Sequence, residues 1–179
     1  MERNYQRICS ILFYTFFFIY LSLLLHALIF QRIHWPMAMR SINIVPFYTI
    51  SNYVLEFVRG SVYSRFAFDN LFFNILFFTP LGLYLPILRS GKKTITYFSW
   101  ILSFSLAVEI LQWCFRLGAA DIDDVILNSF GGFLGLMAYK ALFAVFKQQK
   151  RVRFCITVLS TVAGIPALYF AYRHIFGIH

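Results

Sequence analysis

The sequence predicts an all-α, polytopic membrane protein. It would be a helical bundle of about five spans, N-terminus inside and C-terminus outside, with a short helix on the outer membrane surface. Three observations carry this. The 179 residues are 60% hydrophobic and 13% charged, too little charge to cover a soluble domain of this size. The apolar residues gather in runs that, at ~1.5 Å per residue, can cross a hydrocarbon core of ~30 Å. The basic residues fall in short clusters between those runs, where the positive-inside rule places them.

The first run, residues 8–30, comes after the short basic lead "MERNYQR". It is too long for a signal-peptide core and no small-x-small cleavage site comes after it, so it reads as an uncleaved span. Further spans are expected at 69–88, 94–115, 124–146 and 154–172, the last diluted at its centre by Thr, Ser, Gly and Pro. "MERNYQR", "RSGKK" and "KQQKRVR" hold nine basic residues in short pieces, which sets the N-terminus inside. Lys140, near the inner end of the fourth span, can snorkel inward.

The segment 31–68 is longer than a simple connection needs. Within it Ile50, Tyr53, Val54, Phe57 and Val58 have helical spacing, with Ser51, Asn52, Glu56 and Arg59 opposite. Leu55 interrupts the polar side, and Gly60 can end the helix. The pattern predicts a short amphipathic helix on the membrane surface. No repeat or linker divides the chain, so residues 1–179 read as one domain.

A net charge of +9 raises nucleic-acid binding, but there is no clustered basic patch to meet a phosphate backbone. Cys9, Cys114 and Cys155 lie in or at the ends of apolar runs, odd in number and without CxxC spacing. His26, His34, His174 and His179 are scattered, so the sequence offers no zinc site.

The chemistry concentrates in residues 109–135, "EILQWCFRLGAADIDDVILNSFGGFLG", which hold four of the seven acidic residues. Glu109 lies about 10 Å below the outer helix end at Arg116, Asn74 about 7 Å below Asp69, and Asn128 about 6 Å below Asp124. Glu109, Gln112 and Arg116 share a helical face, as do Asp124 and Asn128, and Asn70 and Asn74. A buried ionisable group in a span faces the bundle interior and needs partners. These residues predict an outward-opening polar pocket between spans two, three and four, its charge balanced by Arg40, Arg65 and Arg116. Bland roles compete: a helix cap for Asp121, first-turn placement for Asp123 and Asp124, interhelical hydrogen bonding for Asn74 and Asn128, and an ion pair for Glu109. Gly131 and Gly135 form a GxxxG pair for close helix approach, and Pro80, Gly82 and Pro86 shape span two, allowing a kink and close packing.

The order Glu109-x2-Gln112-x8-Asp121-x2-Asp124-x3-Asn128-x2-Gly131-x3-Gly135 resembles the signature of the VanZ-like membrane protein family. "RSINIVPF" (Arg40, Asn43, Pro46, Phe47) and "NILFFTPLG" (Asn74, Pro80, Gly82) extend the resemblance, which covers residues 40 to 140. The family takes its name from an accessory teicoplanin-resistance protein. The resemblance therefore implies a multi-pass protein of a Gram-positive plasma membrane that lowers susceptibility to a lipoglycopeptide, and it brings no defined mechanism. Three readings stay open. The pocket and surface helix would bind or alter an envelope lipid or the antibiotic itself; the carboxylates would act as an acid/base pair or hold Mg2+ or Ca2+ in an enzyme of lipid-linked substrates; or the chain would be a small lipid or drug transporter.

Overall fold

The computed structural model describes residues 2–30, 42–116 and 120–176. In chain order they form α1 (Glu2–Leu25) with a π-helical turn (His26–Phe30), β1 (Ile42–Asn43), α2 (Tyr48–Val58) and α3 (Ser64–Leu88). Next come α4 (Thr94–Cys114), β2 (Ala120–Asp121), α5 (Ile122–Phe146) and α6 (Gln149–Phe176). Among the described residues four helical stretches are long and apolar enough to cross a membrane: Gln6–Leu28, Ala67–Leu88, Thr94–Cys114 and Ile122–Phe146. The fifth expected span is also a helix, α6, but is not one of those four. The chain is a helical membrane bundle, as its hydropathy predicts.

It folds as two compact units, Met1–Leu25 with Leu142–His179, and His26–Ala141. In the first, α1 lies along α6. Phe13 and Leu24 of α1 and Val152 and Ile156 of α6 are buried. The Arg153 guanidinium reaches Ser10 Oγ at 3.2 Å and sits 5.6 Å above the Phe13 ring, spending its charge on a hydroxyl and a π face.

The second unit holds α2 to α5 and the two short strands. Its apolar core is Phe78, Leu81, Tyr84 and Ile87 of α3, Tyr97, Ile101 and Val108 of α4, and Val125, Leu127 and Leu136 of α5. The turn from α3 to α4 is stapled by Tyr97, whose hydroxyl donates to the Arg89 carbonyl at 2.6 Å and accepts the Lys92 N–H at 3.1 Å.

Helices α3 and α5 approach through glycine. A Cβ at Gly131 would overlap the Ile75 carbonyl, one at Gly135 the Thr79 carbonyl, and one at Gly82 the Gly132 carbonyl. Each glycine turns a Cα–H toward that oxygen instead, so backbone meets backbone. Pro80 sits inside this contact in α3 and removes a helical donor, while Thr79 Oγ1 bonds back to the Ile75 carbonyl at 2.9 Å.

The expected amphipathic helix is α2. Gly60 lies just beyond it with φ +62°, the left-handed geometry that ends helices. Of its apolar side Val54, Phe57 and Val58 are exposed and Ile50 and Tyr53 half-buried, which leaves apolar surface for a membrane to meet. Hydropathy gave no sign of the pairing of β1 with β2. The strands run parallel, Ile42 opposite Ala120 and Asn43 opposite Asp121, and join the segment before α2 to the start of α5.

Candidate functional site

The acidic stretch divides into a latch at the end of the bundle and a buried polar cluster below it. The latch begins with a helix that cannot cap itself. Phe47 precedes α2 with φ +65° and has no side-chain capping bond, so the first N–H groups of α2 need an acceptor from elsewhere. Asp123 supplies it. One carboxylate oxygen accepts the Phe47 N–H, and the other accepts those of Thr49 at 2.7 Å and Ile50 at 3.0 Å. Asp123 is fully buried, and a carboxylate there also meets the positive end of the α2 dipole.

Asp121 completes the latch. Its Oδ1 accepts the Asp123 N–H at 2.9 Å, which caps α5, and also accepts from Asn43 Nδ2 at 3.1 Å. Its Oδ2 accepts the Thr49 hydroxyl at 2.6 Å, while Asn43 Nδ2 also reaches Thr49 Oγ1 at 3.0 Å. The capping role weighed for Asp121 is present, with two further partners from the segment before and within α2.

Asp124 faces the other way. Its Oδ1 accepts from Asn74 Nδ2 at 2.6 Å; the same amide donates to Asn70 Oδ1 at 3.0 Å, and Asn70 Nδ2 to the Tyr53 hydroxyl at 3.3 Å. This chain of hydrogen bonds joins α5, α3 and α2, and Asp124 and Asn74 are both buried.

The inner cluster is built on α4. Ser105, Glu109 and Gln112 lie at i, i+4 and i+7, on one face, and all three are buried. Glu109 Oε2 accepts the Asp121 N–H at 3.1 Å, which puts the carboxylate directly beneath the latch. Ser105 Oγ accepts from Asn128 Nδ2 at 3.1 Å, and Gln112 Nε2 donates to the Leu28 carbonyl at 2.7 Å. The other halves of these amides are unpaired: Gln112 Oε1 and Asn128 Oδ1 are buried without a partner, as is Ser129 Oγ. A buried acceptor left unpaired costs about 1–3 kcal/mol. Three such atoms in an apolar bundle are an arrangement that packing alone disfavours. The Gly131 and Gly135 contacts with α3 lie one and two turns deeper.

The structure thus joins Glu109 to Asp121 and Asn74 to Asp124, and sets Gln112 on the face of α4 that carries Glu109 and Ser105, the partner of Asn128. Arg116, just past α4, has φ +59° and is exposed, and Arg65 is exposed near the start of α3; neither side chain reaches these carboxylates. Arg40 lies outside the described residues. Among the described residues no group of three His, Cys, Asp or Glu side chains is placed to hold a metal ion. Ser105 and Thr49 belong to the network without having stood out in the sequence. Ser105 had a signal, its four-residue spacing from Glu109; Thr49 had none.

A bundle of apolar helices with a buried, partly unpaired polar cluster defines a polytopic membrane protein. The chain belongs to the VanZ/LLP1 family, whose model matches residues 11–147. It is 36% identical over 100 residues to Protein VanZ of Enterococcus faecium, a match covering 56% of this chain and 53% of that protein. The match therefore spans about half the length of this curated relative. No solved structure matches the chain.

Proposed function

We propose that this protein lowers susceptibility to teicoplanin-like lipoglycopeptides from within a bacterial plasma membrane. It does so by binding or altering an envelope lipid, or the acylated antibiotic, at the outer face. The observation that carries the reading is the inner cluster: Glu109 is buried on one face of α4 with Ser105 and Gln112, and Gln112 and Asn128, the latter bonded to Ser105, each bury an unpaired oxygen. Such a site takes a ligand that donates hydrogen bonds, the chemistry of ammonium and hydroxyl groups. Family membership and the likeness to Protein VanZ support the resistance class. The clustering of basic residues supports an orientation with α2, the latch and Glu109 toward the outside. Expression in a susceptible Gram-positive host tests the proposal. The expected outcome is a several-fold rise in the inhibitory concentration of teicoplanin, with a smaller change for vancomycin. A host no better protected than one carrying the empty vector would reject the resistance function.

A further inference from the structure

A row of aromatic rings on the outward side of α3 takes no part in the polar cluster. It starts on α2, where the Phe57 ring lies 6.2 Å from Phe68. Phe68 stacks on Phe72 at 5.6 Å, Phe72 meets Phe73 edge-on at 5.6 Å, and Phe73 stacks on Phe77 at 5.5 Å. Phe57, Phe68, Phe72 and Phe73 are between 41% and 59% exposed, so protein does not cover the ladder. From Phe68 to Phe77 it descends about 13 Å, close to the hydrocarbon depth of one leaflet. Bulky rings suit a lipid chain here better than a second helix, which would need small residues to approach.

Two cations stand at the upper end. Arg59 closes α2, and Arg65 lies in the first turn of α3, three and seven residues before Phe68 and Phe72 and so on their face. Both are exposed, and neither side chain has a hydrogen bond or ion pair among the described residues. Of the nearby carboxylates, Glu56 is held by the Ser61 hydroxyl, and Asp69 is half-buried one turn below Arg65. Guanidinium groups match phosphate oxygens in charge and in donor geometry.

We propose that this face binds an anionic, phosphate-headed membrane lipid, its phosphate at Arg59 and Arg65 and one apolar chain along the Phe57–Phe77 ladder. The site is distinct from the Glu109 cluster, and its test does not depend on antibiotic susceptibility. Full-length protein in detergent micelles would be titrated with phosphatidylglycerol or phosphatidylcholine and the retained lipid counted by native mass spectrometry. Wild type should retain phosphatidylglycerol preferentially, with about fivefold weaker retention for each arginine removed. The double variant Arg59→Gln/Arg65→Gln should hold the two lipids equally. Phe68→Leu/Phe72→Leu/Phe73→Leu should lower retention of both while keeping their ratio. These positions are exposed, so the variants leave the buried core intact. Equal retention of the two lipids by wild type, or an undiminished preference in the arginine variant, would overturn the headgroup site. Unchanged retention by the phenylalanine variant would overturn the chain track.

Discussion

At the start of α2, the backbone N–H groups of Phe47, Thr49 and Ile50 converge on Asp123, a residue more than seventy positions away in the chain. Asparagine at 123 keeps one acceptor oxygen but replaces the other with a donor that faces an N–H. Asp123→Asn should therefore cost about 1–2 kcal/mol, read as a lowered thermal unfolding midpoint of the purified protein in detergent. An unchanged midpoint would mean that the latch contributes nothing to the fold. Asp121, Asp123 and Asp124 stand as a group in the sequence, and the apolar run after them made their helix-start position legible. That Asp123 caps a different helix was not legible, because the lack of a local cap at Phe47 carries meaning only once the two segments are side by side. Glu109 and Asn128 were legible for a simple reason: polar groups that deep in an apolar run have few roles.

Between helices, α3 and α5 are held by contacts that leave no room for a methyl group. Gly131→Ala and Gly135→Ala each drive a Cβ into a backbone carbonyl, of Ile75 and Thr79 respectively, which cannot move without shifting α3. Each should lower the yield of folded protein and cost about 1–3 kcal/mol, as overpacking does. Gly60→Ala is the control. No atom lies within 4 Å of its added Cβ, and its φ of +62° leaves only a backbone penalty of roughly 1 kcal/mol. Folded yield after detergent extraction should rank Gly60→Ala above the other two; the reverse order would contradict the close contact. The GxxxG spacing and Gly82 in span two announced close helix packing, but not that Gly82 would meet the Gly132 carbonyl. The expected spans 69–88 and 154–172 lie within longer helices. Both helices run beyond their apolar cores at each end or at one, with α3 starting at Ser64 and α6 covering Gln149–Phe176, because helical hydrogen bonding continues where hydropathy falls.

Across the whole molecule, the polar network stays within one unit. Every hydrogen bond of the latch and of the inner cluster lies within the compact unit His26–Ala141, while α1 and α6 build the other unit from apolar packing and the Arg153 contacts. Hydropathy does not mark such a division, because apolar helices occur in both units. In the function proposed above, the carboxylate of Glu109 acts through its charge, beyond its hydrogen bond to Asp121. The most direct measurement is teicoplanin susceptibility of a Gram-positive host expressing wild type or Glu109→Gln, with membrane abundance and unfolding midpoint matched. Glutamine preserves shape and an oxygen for the Asp121 N–H, so loss of protection at equal abundance is the predicted result. Full protection by Glu109→Gln would contradict the account and reduce the cluster to internal hydrogen bonding.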